Sequence, residues 1–219
     1  MKVTLLCNCG LLMESGTDQI LIDGINRESM DFYVLPTDEY EKMRTAQPPY
    51  EVLPALFFTH RHSDHMDTRR VKALLQERGI TETVAPAPGV RQVGCFTVTS
   101  VPFPHTPIPV GGEKLHCVLL VEAEGKLVYV AADAAPDVKR HREILAGRVA
   151  DAAFWNGQYL SYPETRELMQ EYSKRNYIYH NPVGEENGIV RKCRLNLARF
   201  PEETRNVVIL NRYPTVIEL

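Results

Sequence analysis

Metal-binding residue types are concentrated in the stretch LFFTHRHSDHMD (residues 56–67), where three of the chain's seven histidines and two aspartates stand close together. Side chains two positions apart in an extended segment point the same way, so His60 and His62 can bind one ion from one side. Asp64 and His65 follow where the chain turns, and could hold a second ion nearby. Imidazole and carboxylate ligands without thiolate are typical of a catalytic site for zinc, iron or manganese, in which one coordination position is left for water.

The flanking sequence places this cluster between a strand and a helix. The run ALFFT (residues 55–59) is short and almost uniformly apolar, which predicts a strand buried on both faces. Asp67 can cap a helix in which apolar residues recur at helical spacing, and Gly79 is a good C-terminal stop. A solvated loop that only caps a helix would not need four ligand-type residues directly after a buried strand.

The remaining elements must position this cluster. Besides the helix after Asp67, the sequence predicts three more. Thr37 is the N-cap of one, residues 137–146 form another, and Pro163 begins the last. Many short apolar runs separated by Gly, Asn or Ser predict strands, and this mixture favours helices packed outside a pair of sheets. The predicted strands are residues 3–7, 11–15, 19–24, 55–59, 95–101, a hairpin over 116–133 that turns at Glu124-Gly125, 151–155, 176–180 and two strands around 212–214.

Composition limits the class of protein. A chain of 219 residues, with 44% apolar and 24% charged residues, suits a single globular domain over 1–219. The net charge of −3 argues against a nucleic-acid partner. The apolar start MKVTLLCNCGLL is interrupted at Asn8 and Gly10, so we do not expect a secretion signal. No apolar run approaches the roughly 20 residues of a membrane span, so we expect no membrane partner.

The five cysteines indicate a reducing compartment. Their number is odd and they form no CxxC pair, which favours reduced thiols and a cytoplasmic protein. Cys7 and Cys9 could in principle bind a metal, but their apolar surroundings favour core packing. The sequence leaves the oligomeric state open, including a homo-oligomer.

The central motif THRHSDH (residues 59–65) resembles the signature of the metallo-β-lactamase superfamily of hydrolases, and ILIDG (residues 20–24) resembles the strand that precedes it there. The resemblance extends over residues 21–180. It implies an α/β fold, a four-layer αββα sandwich of two mixed sheets flanked by helices, with the site at one edge between the sheets. Downstream it rests on three single residues, which are His105 in VPFPHTP, Asp133 in VYVAADA and His180 in YIYHNP.

The resemblance also implies a role for each ligand. One divalent metal would be held by His60, His62 and His105, the other by Asp64, His65 and His180, with Asp133 between them. The same resemblance makes Asp64 and Asp133 catalytic residues and a metal-bridging hydroxide the nucleophile. Two divalent ions, two carboxylates and one hydroxide leave one positive charge to polarise an ester or phosphoryl oxygen. Zinc is the expected metal, with manganese or iron as alternatives.

Three further residues have competing interpretations. His116 is the rival of His105 as third histidine ligand, although it begins an apolar strand and is expected to pack there. Asp23 is expected to orient a ligand without binding metal itself. His141 stands in the charged run KRHRE and is expected on a solvated helix face.

Departures from the superfamily's patterns narrow the reaction. Asp133 stands where true β-lactamases of this fold have a cysteine, and His62 stands where flavodiiron proteins have an acid. The stretch AFWNGQY (residues 153–159) lacks the histidine of tRNA-processing members and resembles that of small phosphodiesterases of phosphonate breakdown and quinone-cofactor synthesis. Those enzymes have Asp-Gly where this chain has Asn156-Gly157.

The expected function is therefore a binuclear metal-dependent hydrolase of a small phosphodiester or related anionic ester. A thioester or lactone hydrolase of the same fold is the alternative, and a non-catalytic metal-binding sensor or interaction protein is the alternative of another class. The candidates for contact with such a substrate are Arg61, Arg69, Arg70, Tyr159, Asn181 and Glu185.

Overall fold

The computed structural model describes residues 1–29, 31–84, 87–106, 115–182, 184 and 187–219. Within these ranges the strands form two sheets. The first sheet has the order β13-β1-β2-β3-β4-β5. Its strands are β1 (Lys2–Cys7), β2 (Gly10–Ser15), β3 (Asp18–Ile22), β4 (Ala55–Phe57), β5 (Glu82–Val84) and β13 (Thr215–Glu218).

The second sheet has the order β12-β11-β10-β9-β8-β7-β6. Both sheets are mixed. The parallel pairs are β3-β4 and β4-β5 in the first sheet and β9-β10, β10-β11 and β11-β12 in the second, and the other pairs are antiparallel. The strands of this sheet are β6 (Gly89–Val93), β7 (Phe96–Phe103), β8 (His116–Ala123), β9 (Lys126–Ala132), β10 (Ala152–Asn156), β11 (Asn176–His180) and β12 (Val207–Ile209).

Five α-helices lie within the described ranges, and they cover the outer faces of the sheets. Apolar residues of α1 and α2 pack on the first sheet, and those of α3, α4 and α5 pack on the second. A third apolar cluster fills the space between the sheets, so the four layers are helix, sheet, sheet and helix. The helices are α1 (Thr37–Arg44), α2 (Thr68–Arg78), α3 (Val138–Leu145), α4 (Pro163–Tyr172) and α5 (Gly188–Arg199). This confirms the predicted αββα sandwich.

Alternation along the strands explains why they are apolar on both faces. In β10, Ala152 and Phe154 join the cluster between the sheets, whereas Ala153 and Trp155 pack under the helices. Strands of this kind show no polar face, which is why their sequences are continuous apolar runs. The single domain over residues 1–219 stays a prediction.

Helix ends agree with the sequence in most places. The Asp67 carboxylate accepts hydrogen bonds from the backbone N–H groups of Arg69 and Arg70 at 2.9 and 3.2 Å, and Gly79 ends α2 in the left-handed conformation with φ 63°. The prediction for Thr37 was wrong. Pro36 occupies the N-cap of α1 without a side-chain hydrogen bond, and Thr37 is the first helical residue.

None of the described helices has both the length and the apolar sequence that crossing a bilayer requires.

Candidate metal centre

The predicted ligands come together at one rim of the sandwich because each follows the carboxyl end of a strand. His60 comes three residues after β4, His105 follows β7, Asp133 follows β9 and His180 ends β11. These strands all run toward this rim. A backbone hydrogen bond of 2.9 Å from the Cys117 N–H of β8 to the Thr59 carbonyl joins the two sheets beside the cluster.

All seven predicted ligands fall into two groups of converging donor atoms, and Asp133 belongs to both. The donor atoms of each group lie within 4.8 Å of one another. The first group consists of His60, His62, His105 and Asp133, and the second consists of Asp64, His65, Asp133 and His180. His105, and not its rival His116, therefore completes the first group.

In the first group the ring nitrogens approach one another and one carboxylate oxygen. His60 Nε2 lies 2.9 Å from His62 Nδ1 and 3.6 Å from Asp133 Oδ2. His105 Nε2 lies 3.4 Å from the same oxygen. The His105 Nδ1–H is 2.6 Å from the Thr106 carbonyl oxygen, to which it can donate, and this leaves Nε2 as an acceptor facing the group.

The second group has the same character. His65 Nε2 lies 3.6 Å from Asp64 Oδ2 and 3.5 Å from Asp133 Oδ2. His180 contacts both carboxylates, with Nε2 3.1 Å from Asp64 Oδ2 and Nδ1 2.8 Å from Asp133 Oδ1. The Phe32 ring stacks on the His180 imidazole at a centroid distance of 4.5 Å and covers one of its faces.

Asp23 orients the site from behind, as the sequence predicts. It is fully buried and its carboxylate accepts from the Thr59 N–H at 2.8 Å and from the Thr59 hydroxyl at 2.6 Å. Its Oδ2 also lies 2.9 Å from His65 Nδ1, which fixes the tautomer of His65 with Nε2 toward the second group. Thr59 Oγ1 in turn lies 3.1 Å from His60 Nδ1.

Electrostatics hold some of the ligands in the charge states that metal binding requires, but not all of them. Burial opposes protonation of His65, His105 and His180, but the Asp133 carboxylate and other nearby groups outweigh it and raise their pKa values, so a metal would displace protons from these rings on binding. Burial lowers the pKa of His60 well below its ordinary value, so the ring is neutral. Burial by itself would raise the pKa of Asp133, but the nearby His180 and His65 outweigh this effect and hold that pKa well below its usual range. At Asp64, burial by itself would raise the pKa. The hydrogen bond with His180 acts in the opposite direction, and the pKa is lowered overall.

Two buried ring nitrogens of the cluster test whether a metal fits. Among the described residues, His65 Nε2 and His105 Nε2 find no hydrogen-bond partner. Buried polar atoms rarely go unpaired, so these atoms call for a partner of another kind. A donor set of imidazole nitrogen and carboxylate oxygen suits zinc, iron or manganese, and the residues therefore fit a divalent ion in each group.

A cavity of about 330 Å³ opens beside the cluster. Its wall combines metal-site residues with apolar side chains and one lysine, and three of its residues come from α5. The residues lining it are Phe32, His105, Thr106, Asp133, Asn156, Gly157, Gln158, Ser161, His180, Ile189, Lys192 and Cys193.

Asn156 has a structural role at this wall. Its side-chain amide donates to the carbonyls of Ala132 and Ala134 at 2.9 and 3.2 Å, and its oxygen accepts from the Gln158 N–H at 3.0 Å. These bonds fix the turn that carries Asp133. Small phosphodiesterases have Asp-Gly at this point. Asn156 holds the turn by donating hydrogen bonds from its amide, whereas an ionised carboxylate could only accept them.

The prediction for His141 was wrong. The side chain is fully buried, with Nδ1 2.6 Å from the Tyr129 hydroxyl and Nε2 2.5 Å from the Tyr159 hydroxyl. Within the charged run KRHRE of α3, His141 therefore faces inward, toward the sheet on which the helix packs. Burial also lowers the pKa of His141 to about 3.

His116 packs in the core, as expected. It is fully buried beside His60, with ring centroids 5.1 Å apart, and burial lowers its pKa to about 3. Neither of its ring nitrogens has a hydrogen-bond partner within the described part of the chain.

The predicted pocket residues that the structure describes do not line this cavity. Arg61 and Arg69 are exposed, and Arg70 lies over the Tyr40 ring at 5.1 Å. Tyr159 is fully buried in the core under the helices, and Asn181 is a buried residue that donates to the carbonyls of Ile178 and Leu210. Glu185 lies outside the described residues. Lys192 and Phe32 line the cavity in their place. Asn187, the N-cap of α5, could have indicated the helix that carries Lys192, but not the position of Lys192 at the cavity.

Comparison with known proteins supports this fold. No protein-family profile matches the sequence, and no curated protein matches it significantly. Several solved structures match over 100% of this chain, among them the following three. The metallo-β-lactamase fold protein YhfI from Bacillus subtilis has a TM-score of 0.66 at 16% identity, with 99% of its chain covered. Isothiocyanate hydrolase from Delia radicum gut bacteria has a TM-score of 0.65 at 16% identity, also with 99% covered. CmlA, a diiron β-hydroxylase from Streptomyces venezuelae, has a TM-score of 0.61 at 12% identity, with 54% covered.

The chain therefore has the metallo-β-lactamase fold. At these identities the likeness concerns the fold alone, and the chemistry has to be argued from the site.

Proposed function

We propose that the protein is a metal-dependent hydrolase with two divalent ions, acting on a small anionic ester such as a phosphodiester. The observation that carries this proposal is the pair of donor groups that share Asp133 and border a cavity of about 330 Å³. Two ions a short distance apart are the usual device for clamping the attacking and leaving oxygens of such a reaction.

The residues of the site would have different roles in this reaction. Bound divalent ions would supply Lewis acidity and make water a nucleophile at neutral pH. Asp64 and Asp133 are held ionised, so Asp64 would contribute negative charge to an ion in the second group and Asp133 to ions in both groups. Asp23 and Thr59 keep His65 and His60 in the tautomers that face the site. Phe32 covers one face of His180 and restricts the approach of bulk water there.

The cavity supports a small substrate with an anionic end. Lys192 gives this wall a positive charge, while Phe32 and Ile189 offer apolar surface. A ligand with one charged group and a short apolar part would match both features. A nucleic acid or a membrane is not part of this proposal, and a homo-oligomer stays a prediction.

The apolar part of the same wall favours a second candidate, a thioester or lactone hydrolase. Such substrates carry no charge at the reacting carbonyl, so they would use Phe32 and Ile189 more than Lys192. The non-catalytic alternative receives less support, because all seven ligand positions are filled and converge.

Zinc is the proposed metal, since imidazole with carboxylate is a common zinc donor set. Iron stays a candidate, because a diiron protein shares the fold. We keep the cytoplasm as the proposed compartment, which suits five free cysteines.

The test combines metal analysis with a substrate panel. Protein prepared without chelator or affinity tag should contain about two metal ions per chain, and should hydrolyse a phosphodiester faster than a thioester or lactone. Asp133→Asn should lower turnover by more than about 100-fold, because even residues that only support a ligand change activity 10–100-fold. Asp151→Asn, a largely buried carboxylate at the start of β10, is the matched control. Wild-type protein that binds no zinc, manganese or iron would refute the proposal.

A further inference from the structure

A buried thiol lies beside the second donor group. Cys9 stands in the turn between β1 and β2 and is fully buried. Its Sγ and the ring nitrogens of His65 and His180 lie within 4.8 Å of one another. These are the same two imidazoles that converge with Asp64 and Asp133. The second group is therefore surrounded by nitrogen, oxygen and sulfur donors.

The neighbouring cysteine does not share this position. Cys7 is also fully buried, but it packs in the cluster beneath α1 and α2, whereas Cys9 belongs to the cluster between the sheets. The strand register shifts between Leu5 and Cys7, so residues two apart no longer face the same layer. This local irregularity brings only the second thiol of the Cys-x-Cys pair to the donor group.

An unpartnered imidazole nitrogen provides independent evidence for a ligand at this point. His65 is fully buried, and its Nδ1 is engaged by Asp23. Its Nε2 has no hydrogen-bond partner among the described residues and lies 3.6 Å from Asp64 Oδ2 and 3.5 Å from Asp133 Oδ2. A buried imidazole with one nitrogen held by a carboxylate and the other directed at two further carboxylates is the arrangement of a metal ligand.

The turn that carries Cys9 is fixed against the loop that carries Asp64. The Asn8 side-chain amide donates to the Asp64 carbonyl at 3.2 Å, and the Asn8 N–H donates to the Tyr33 carbonyl at 3.0 Å. Gly10 permits this close approach, since a Cβ there would lie 2.9 Å from Gly24 Cα and 2.5 Å from Cys7 Sγ. The thiol is therefore held near the group by the backbone around it.

We propose that Cys9 is an additional, sulfur ligand of the second metal position, and that it makes this position selective for a thiophilic ion such as zinc over manganese. The inference rests on the metal binding in the proposed function, though not on the substrate. On binding, the S–H bond would break, its proton would leave to solvent, and the sulfur would donate an electron pair to the ion. Thiolate favours zinc, whereas oxygen ligands suit manganese.

X-ray absorption at the zinc edge of the zinc-loaded wild-type protein tests this directly. A sulfur shell at about 2.3 Å is expected in addition to nitrogen and oxygen at about 2.0–2.1 Å. Cobalt-loaded protein should show a thiolate-to-cobalt charge-transfer band. Both signals should disappear in Cys9→Ser and persist in Cys7→Ala, the control at the end of β1, two residues away. The preference for zinc over manganese should fall by about tenfold or more in Cys9→Ser.

The outcomes separate this inference from the proposed function. Protein that binds two zinc ions with only nitrogen and oxygen around them would overturn the role of Cys9 and leave the hydrolase proposal standing. Protein that binds no metal would overturn both. If Cys9→Ser fails to fold, the wild-type absorption and cobalt spectra still decide the question.

Discussion

The Asp133 carboxylate lies within 3.6 Å of three imidazoles through Oδ2 and 2.8 Å from a fourth through Oδ1. Such crowding around one carboxylate leaves its oxygens and the ring nitrogens with more acceptors than donors. The individual side chains are therefore ordered less by hydrogen bonds with one another than by the residues behind them. Asp23 is the most important of these supports, since it reaches both Thr59 and His65.

Asp23→Asn should weaken metal binding without removing a ligand. Asparagine has nearly the same shape and tolerates the positive φ of 49° at this position. Its amide offers one acceptor oxygen in place of two, so the bonds to Thr59 and His65 cannot all be kept. Zinc affinity, measured by competition with a chelator, should fall about 10–100-fold. Asp18→Asn, whose carboxylate accepts from the Cys95 N–H far from the site, should leave it unchanged. Equal affinities in all three proteins would refute this role of Asp23.

Lys192→Met distinguishes an anionic substrate from a neutral one. The change keeps the length of the side chain and removes its charge at the cavity wall. For a phosphodiester, KM should rise by about tenfold or more with little change in kcat, because a hydrogen bond to a charged group contributes about 1.5–3 kcal/mol. Lys139→Met, at an exposed position of α3, is the control. An unchanged KM would favour the thioester or lactone alternative.

At the scale of elements, hydrogen bonds between helices and strands fix the position of the loops at the rim. His141 of α3 lies between Tyr129 of β9 and Tyr159. The Tyr159 hydroxyl donates to the Ala135 carbonyl at 2.7 Å, two residues after Asp133. The network thus joins α3, β9 and the short 3-10 helix Gly157–Leu160 behind the metal site.

His141→Gln should destabilise the protein at neutral pH. The change leaves at least one buried tyrosine hydroxyl without its partner, which costs about 1–3 kcal/mol of unfolding free energy. The effect depends on pH because the pKa of His141 is about 3 in the folded protein and near its ordinary 6.5 when unfolded. The neutral ring therefore stabilises the fold fully above pH 6.5, and this contribution is lost as pH falls toward 3.

Urea unfolding of both proteins at pH 7.5 and 5 would measure this difference, which should be larger at pH 7.5. Arg142→Gln, an exposed change at the next position of α3, should alter stability by less than about 0.5 kcal/mol. A constant difference across this pH range would contradict a neutral, buried His141.

The elements that the sequence predicts well are those whose pattern is local. The strand at residues 55–59, the Asp67 and Gly79 ends of α2 and the hairpin turn at Glu124-Gly125 all depend on short-range preferences. By contrast, α5 was not predicted, because Leu195 and Ile189 are exposed and blur its apolar face. Strand β6 was also missed, since four of its five residues are exposed at a sheet edge.

The same distinction applies to the site. The ligands between His60 and His65 could be predicted because they are adjacent in sequence, and the downstream ligands because they resemble a known pattern. Neither source indicates that Lys192 lines the cavity or that Cys9 lies beside His65. These positions depend on how α5 and the first hairpin pack in three dimensions, which no local spacing encodes.

For the whole molecule, metal removal should lower thermal stability. An ion that binds only the folded state stabilises it by about 2.7 kcal/mol at a hundredfold excess over Kd. For a chain of this size each kcal/mol corresponds to about 2–4 °C in Tm. Adding a chelator should therefore lower Tm by about 5–10 °C. The shift should be smaller in His62→Ala, and a chelator without effect on the wild type would contradict an occupied site.

The seven ligands are supplied by both sheets, with residues 60–65 following β4 of the first and His105, Asp133 and His180 following strands of the second. An ion held by either group would therefore act as a cross-link, closing long loops of the unfolded chain. During synthesis, the first group is incomplete until Asp133 has left the ribosome, and the second until His180 has followed. Metal acquisition thus belongs to the last stage of biogenesis, and a loaded centre would report that both sheets have docked.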